Sequence, residues 1–207
     1  MIEDIALADG RVARRVENRA RIIGALFSLV RSGRPHPTLK EIAERAGVTP
    51  RTLLNHFPDM GALLVIAQAE WREQAKRDIP PIPDISDPEE CVREFFRRAT
   101  RFYEIYSAIR WALLTTSVPM PTFDQRQHKG VVLSLLERRV MELVSRLGTA
   151  IDDDAELRRG VLVAIDPLAW RLLRVQQGLS RADAAATMAR GVIVLARDGK
   201  APRRSRK

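Results

Sequence analysis

The strongest constraint in this sequence is a pair of short helices whose ends are all marked between residues 38 and 58. Thr38 followed three residues later by Glu41 forms a capping box, in which a helix start satisfies its own free amides. Gly47 stands where that helix would end in a left-handed turn. Thr49 then caps a second helix, and Pro50 occupies its first position, where the missing N–H group costs nothing. Two short helices joined by a tight glycine turn predict a helix-turn-helix.

The second helix of this pair has one polar side. At about 100° per residue, its apolar side chains fall together on the other side. These apolar residues are Pro50, Leu53, Leu54 and Phe57. The opposite arc holds four polar residues, which are Arg51, Thr52, Asn55 and His56. A cation, a hydroxyl, an amide and an imidazole are the groups that contact base edges and phosphates, so the pattern favours nucleic acid as the partner of this face.

The rest of the chain is predicted to be helical, which makes the fold class all-α. Apolar residues recur three and four positions apart, and no alternating stretch indicates a strand. The proline-rich segment Pro80–Pro83 cannot continue a helix and is predicted to link two helices. We predict a three-helix helix-turn-helix domain with a basic N-terminal arm at 1–60, a larger helical domain at 61–198 and a disordered basic tail at 199–207.

Composition excludes several classes of protein. The formal net charge is +9, but five cations lie in the last eight residues, so the rest of the chain carries only +4 and gives weak evidence for nucleic acid. A single cysteine rules out an internal disulfide framework, and the three histidines are too far apart for a zinc-binding pair, so no metal site is predicted. No apolar run is long enough for a membrane span and no signal peptide is recognisable at the start, so we expect a cytoplasmic protein.

The segment from Thr38 to Thr49 resembles the TetR family of bacterial transcriptional regulators, and the resemblance continues through Thr52–Asp59 and Leu63–Leu64. It implies a homodimer that binds a palindromic operator in double-stranded DNA, usually as a repressor, and that responds to a small ligand. By position it assigns a phosphate contact to Thr38 and a backbone contact to His56. It also implies contacts in the major groove from Thr49, Pro50, Arg51, Thr52 and Asn55.

Three positions depart from the family pattern. Leu54 stands where members usually carry a phosphate-binding tyrosine, and Met60 and Gly61 replace the usual lysine and glutamate. Two phosphate contacts are therefore expected to be missing, which lowers the expected salt dependence of DNA binding. A group of arginines near the start of the chain either replaces these contacts or forms a solvated helix face. These are Arg11, Arg14, Arg15, Arg19 and Arg21.

The resemblance also implies that the larger domain holds a ligand cavity and the dimer contact. Helices are expected from about 88 to 108 and from about 124 to 147, followed by two final helices that pair with those of a second subunit. Small residues there suit close helix approach: Gly160, Ala164, Ala182, Ala185 and Ala189. Six aromatic residues are candidates for contact with a small, largely apolar ligand, although their helical spacing also fits a plain core. These are Phe95, Phe96, Phe102, Tyr103, Trp111 and Phe123.

Two functions remain open from the sequence. The preferred one is a homodimeric, ligand-responsive DNA-binding regulator, most often a repressor. The alternative is a helical carrier or enzyme for a small apolar molecule, with a vestigial helix-turn-helix. No nucleophile–base pair, metal cluster or glycine-rich phosphate loop is recognisable, so neither a catalytic residue nor a cofactor is predicted.

Overall fold

The computed structural model describes residues 2–115, 132–149, 151 and 154–199, and within these ranges the chain is helical without strands, which confirms the all-α prediction. Its helices, in chain order, are α1 (Ile2–Arg31), α2 (Leu39–Ala46), α3 (Pro50–His56), α4 (Met60–Asp78), α5 (Pro88–Arg98), α6 (Thr100–Thr115), α7 (Val132–Arg146), α8 (Ala155–Ala164), α9 (Pro167–Arg171), a π-helical turn (Leu172–Gln176) and α10 (Arg181–Asp198). None of the helices in the described ranges has the length and apolar character that a membrane span requires.

Two compact units divide the chain. The first comprises Met1–Trp71 with Trp111–Phe123, and the second comprises Arg72–Arg110 with Asp124–Lys207. Helices α4 and α6 therefore each contribute residues to both units. The boundary expected at residue 60 stays a prediction, and the tail expected from residue 199 lies outside the described residues beyond Gly199.

The first unit is built on the apolar stripe of α1, which packs against α2 and α3. Ile22 and Leu26 of this stripe are buried beside Ile42 of α2 and Leu53 of α3. Burial of a large aliphatic side chain stabilises the folded state by roughly 1.5–3 kcal/mol, so these few residues hold the two short helices against α1. Phe57, fully buried directly after α3, closes the same core.

The second unit is organised around α10, which packs against α5 and α8. A Cβ atom added at Gly160 of α8 would meet Leu195 Cδ2 at 3.4 Å, and one added at Gly191 would meet Ala164 Cβ at 3.9 Å. Small residues therefore bring α8 and α10 together inside one subunit. Ala185 and Ala189 are also buried within the subunit, so the expectation that they contact a second subunit is corrected.

Two helix boundaries differ from those expected from the sequence. A single helix was expected from about 88 to 108, whereas the chain bends at Ala99, whose ψ of −3° departs from the α-helical value of about −42°. The Thr100 hydroxyl donates to the Arg97 carbonyl at this bend. The apolar spacing of the sequence predicts that the first helix starts near Val12, whereas α1 begins ten residues earlier, at Ile2. The helix expected from 124 is described from Val132 onwards, and its predicted start lies outside the described residues.

Candidate nucleic-acid interface

The start of α2 carries the predicted capping box. The Thr38 N–H donates to Glu41 Oε2 at 2.7 Å, and the Glu41 N–H donates to Thr38 Oγ1 at 3.2 Å. The Thr38 hydroxyl also donates to Glu41 Oε2 at 2.9 Å, and Arg34 donates to Glu41 Oε1. Because both donors of Thr38 are engaged by Glu41, a DNA phosphate at this position would compete with the carboxylate for them.

These hydrogen bonds hold the carboxylate of Glu41 in its charged form. The Thr38 N–H, followed by Arg34, lowers the pKa of Glu41 from its ordinary value of 4.5 to about 2. A group whose pKa is lower in the folded state stabilises the fold above its unfolded pKa and loses that contribution as the pH falls through the folded pKa. The contribution of Glu41 is therefore complete above about pH 5 and disappears towards pH 2.

Replacing this carboxylate is expected to remove that pH dependence. Glu41→Gln should lower the Tm at pH 7, and its stability should fall less steeply than that of the unmodified protein between pH 5 and pH 2. Thermal unfolding followed by circular dichroism across this range checks both. Glu44→Gln on the same helix is the matched control, because the Glu44 carboxylate has no described hydrogen-bond partner. Parallel stability curves for Glu41→Gln and the unmodified protein would contradict the assignment.

The turn between α2 and α3 depends on Gly47 and on an arginine from α1. Gly47 has a φ of 65° and a ψ of 37°, the left-handed conformation that side chains disfavour. Arg21 Nη2 donates to the carbonyls of Ala46 at 2.7 Å and Gly47 at 3.3 Å, which satisfies acceptors left free at the end of α2. Arg21, considered above as a possible DNA contact, therefore holds the turn in place.

Helix α3 is fixed by its cap and by two buried anchors. The Thr52 N–H donates to Thr49 Oγ1 at 3.1 Å, and the two threonine hydroxyls lie 2.9 Å apart. Leu53 and Phe57 are fully buried, whereas Arg51 and Asn55 are exposed. Arg51 and Asn55 stand four residues apart, so they share one side of the helix and project together away from the core.

The remaining expected DNA contacts lie around this exposed pair. Thr49 and Pro50 are exposed at the start of α3, while Thr52 and His56 are half-buried on its flanks. Leu54, which the helical pattern placed among the apolar residues, is 48% exposed. A helix of seven residues anchored by Leu53 and Phe57 has no further core to offer this leucine, so the grouping of Leu54 with the buried side is corrected.

A small basic cluster stands at the end of α3. The guanidinium carbon of Arg19 lies 5.7 Å from the centre of the Phe57 ring, which in turn lies 6.3 Å from the centre of the His56 ring. Arg19 Nε is 3.7 Å from Glu70 Oε1 of α4. Partial burial, followed by the charges of Arg15 and Arg19, lowers the pKa of His56 below its ordinary value of 6.5. The imidazole is therefore neutral at pH 7.

The residues expected to contact a ligand are found in different surroundings. Phe95, Phe96, Phe102 and Tyr103 are buried in the second unit. Their rings pack on one another: Phe95 meets Phe96 edge-on at 5.7 Å, and Phe102 meets Tyr103 edge-on at 5.3 Å. Trp111 belongs to the first unit and is 37% exposed, and Phe123 lies outside the described residues. A ligand contact by these six residues stays a prediction.

Trp170 also belongs to this aromatic cluster. The sequence analysis did not include it among the candidate ligand contacts. Its ring stacks on that of Tyr103 at 5.3 Å, and its Nε1 donates to Glu104 Oε1 at 3.1 Å. The Tyr103 hydroxyl donates to the Ile165 carbonyl at 3.1 Å. Burial raises the pKa of Tyr103 well above its ordinary range, so the phenol stays protonated as this donor requires.

Comparison with known proteins agrees with this geometry. Residues 35–65 match the family model described as bacterial regulatory proteins, tetR family. The fold is similar to the crystal structure of a transcriptional regulator from Rhodococcus sp. Rha1, with a TM-score of 0.63 and 14% sequence identity, over 89% of this chain and 98% of that one. No curated protein matches the chain. The match over the helix-turn-helix and the similar fold together support the resemblance of this chain to the tetR family of bacterial regulatory proteins.

Proposed function

We propose that this protein is a repressor that binds a palindromic DNA operator as a homodimer and is released by a small, largely apolar molecule. The observation that carries the proposal is the exposed pair Arg51 and Asn55 on α3. An arginine pairs with guanine and an asparagine with adenine through two hydrogen bonds each, and a helix of this width enters the major groove. Thr49, Pro50 and Thr52 would approach the same groove, while Thr38 would contact a phosphate and His56 the DNA backbone.

Exposed apolar side chains on the last helices support the homodimer. Val163 of α8 is 71% exposed, Val175 of the π-helical turn is 60% exposed and Val194 of α10 is 53% exposed. Leu172, at the start of the π-helical turn, is also exposed. A twofold pairing of two copies would bury each of these side chains against the partner. Two copies related by a twofold axis would then place two α3 helices in successive major grooves, about 34 Å apart, which requires a palindromic site.

Release by a ligand is supported by the aromatic cluster of the second unit. The cluster is apolar apart from its tyrosine hydroxyls and the Nε1 of Trp170, so a molecule that enters it would be largely apolar. Helices α4 and α6 contribute residues to both units, so a shift of either helix on ligand binding would involve residues of the unit that holds the helix-turn-helix. A ligand shifts the protein between two arrangements only by its difference in affinity for them, typically about 1–3 kcal/mol.

The base-reading role of α3 is tested by separating specific from non-specific binding. An operator is first selected from random duplexes with the purified protein. Asn55→Ala should then weaken binding to that operator by about 1–3 kcal/mol per half-site and leave affinity for random DNA unchanged. Titrations by fluorescence anisotropy at one fixed salt concentration measure both. Gln177→Ala, an exposed amide of the second unit, is the control.

Two results would count against the proposal. An equal loss on operator and random DNA would make Asn55 a phosphate contact and remove it from base reading. Failure of the selection to enrich any palindromic sequence would contradict operator binding itself. In the first case DNA would remain the partner of this face, and in the second case the exposed pair Arg51 and Asn55 would need another partner.

A further inference from the structure

Part of helix α1 presents an exposed basic surface. The helix spans Ile2–Arg31, and its side chains are described from residue 12 onwards; among these, burial begins at Ile22. Between residues 12 and 21 every side chain is exposed except the half-buried Asn18. This stretch carries Arg14, Arg15, Arg19 and Arg21 against the single acid Glu17. A cationic helix segment therefore projects from the unit that holds α3.

The arginines of this segment have different surroundings. Arg21 is engaged by the carbonyls at the end of α2. Arg19 lies over the Phe57 ring, and its Nε is 3.7 Å from Glu70 Oε1, too far for a direct hydrogen bond. Arg15 is exposed and stands four residues before Arg19, one turn away on the same side of α1. Arg15 and Arg19 thus stand beside the last residue of α3.

We propose that Arg15 and Arg19 of α1, together with His56 of α3, form a site for a phosphate of the DNA backbone next to the base-reading pair Arg51 and Asn55. This inference rests on the proposed operator binding and extends its footprint to α1. The two guanidinium groups supply charge and directed N–H donors that match phosphate oxygens. His56 supplies one further N–H donor. Arg19 also contacts the Phe57 ring and lies near Glu70.

The charge distribution of the interface favours this site. Helix α3 contains one permanent cation, Arg51, and α4 begins with Met60 and Gly61, which offer no side-chain donor to a phosphate. Non-specific attraction to DNA depends mainly on cations that displace counterions from phosphates. Without α1, the exposed face of α3 would have little of that attraction. Glu70 offsets part of the charge of Arg19 but is a single carboxylate against two guanidinium groups.

The test measures how DNA affinity depends on salt. Arg15→Ala should weaken binding to the selected operator and to random DNA by the same factor. In a dimer it removes one phosphate contact from each subunit, so the slope of log affinity against log salt should become shallower by about 2. His56→Gln, which retains an N–H donor, should leave that slope unchanged. Arg31→Ala, an exposed arginine at the other end of α1, is the matched control.

Arg15 is chosen because Arg19 also packs on Phe57, so that the loss of Arg19 would remove a packing contact of the first unit as well. Circular dichroism confirms that the Arg15→Ala protein keeps its Tm. An unchanged salt slope for Arg15→Ala would overturn the phosphate site while leaving operator binding intact. An altered preference between operator and random DNA would overturn it too, because a phosphate contact carries no sequence information. An unmodified protein that binds no duplex would overturn the proposed function as well.

Discussion

The double variant Val163→Glu with Val194→Glu is expected to sediment as a monomer and to bind its operator about 10²–10⁴-fold more weakly than the unmodified protein. Both valines are mostly exposed, so neither carboxylate enters the core of the subunit. In the proposed dimer each would face the apolar surface of the partner, where burial of an unpaired charge is strongly unfavourable. Loss of the dimer uncouples the two half-sites, and the second helix-turn-helix no longer binds at a high effective concentration.

Analytical ultracentrifugation at micromolar concentration measures the state of assembly, with about twice 23.4 kDa expected for the unmodified protein. Val12→Glu is the matched control for sedimentation, because Val12 is equally exposed but lies on α1. A double variant that remains dimeric would show that another surface holds the subunits together. Ala185 is unsuitable for this experiment, since it is buried against its own subunit and a glutamate there would unfold the protein.

The helix-turn-helix could be predicted from the sequence because its signals are local. The capping box joins Thr38 to Glu41, and the second cap joins Thr49 to Thr52, each over three residues. The left-handed turn depends on Gly47 alone. Such contacts need no knowledge of tertiary structure, so pattern and propensity agree with the final fold.

Features that depend on distant contacts could not be predicted in the same way. Arg21 was read as part of a basic stretch, but it contacts Ala46, 25 residues away. Neither a glycine nor a proline marks the bend at Ala99, so no local signal in the sequence predicts it. Leu54 is apolar and stands beside Leu53, and only the shape of the surrounding core determines that one is exposed and the other buried.

The aromatic cluster shows the same limit for the candidate ligand site. Helical spacing left two alternatives for Phe95, Phe96, Phe102 and Tyr103, ligand contact or plain core, and all four are buried in the second unit. The spacing could not reveal Trp170, which stands 67 residues beyond Tyr103 and stacks on its ring. Periodicity identifies the buried side of one helix, but it carries no information about which other helix faces it.

Phe102→Ala is expected to lower the free energy of unfolding by about 3–5 kcal/mol, the usual effect of removing a buried aromatic ring. Phe102 is 1% exposed, and its ring meets those of Tyr103 at 5.3 Å and Tyr106 at 5.1 Å. An alanine would leave a cavity lined by aromatic rings that are held in place by other contacts. Urea unfolding followed by circular dichroism measures the loss, and Phe102→Leu, which keeps most of the volume, should lose less than half as much.

The size of this loss distinguishes a packed core from a ligand-sized opening. Tyr103 is fixed by its hydrogen bond to the Ile165 carbonyl and by the stacked ring of Trp170, so the walls of the new cavity cannot easily collapse. A loss below about 1 kcal/mol would mean that Phe102 borders space already present in the folded protein, because an opening there would have no close packing to lose. A loss of about 3–5 kcal/mol in the free energy of unfolding means that a ligand must displace packed rings to reach this position. Phe102 would then stabilise the ligand-free arrangement rather than contact the ligand directly.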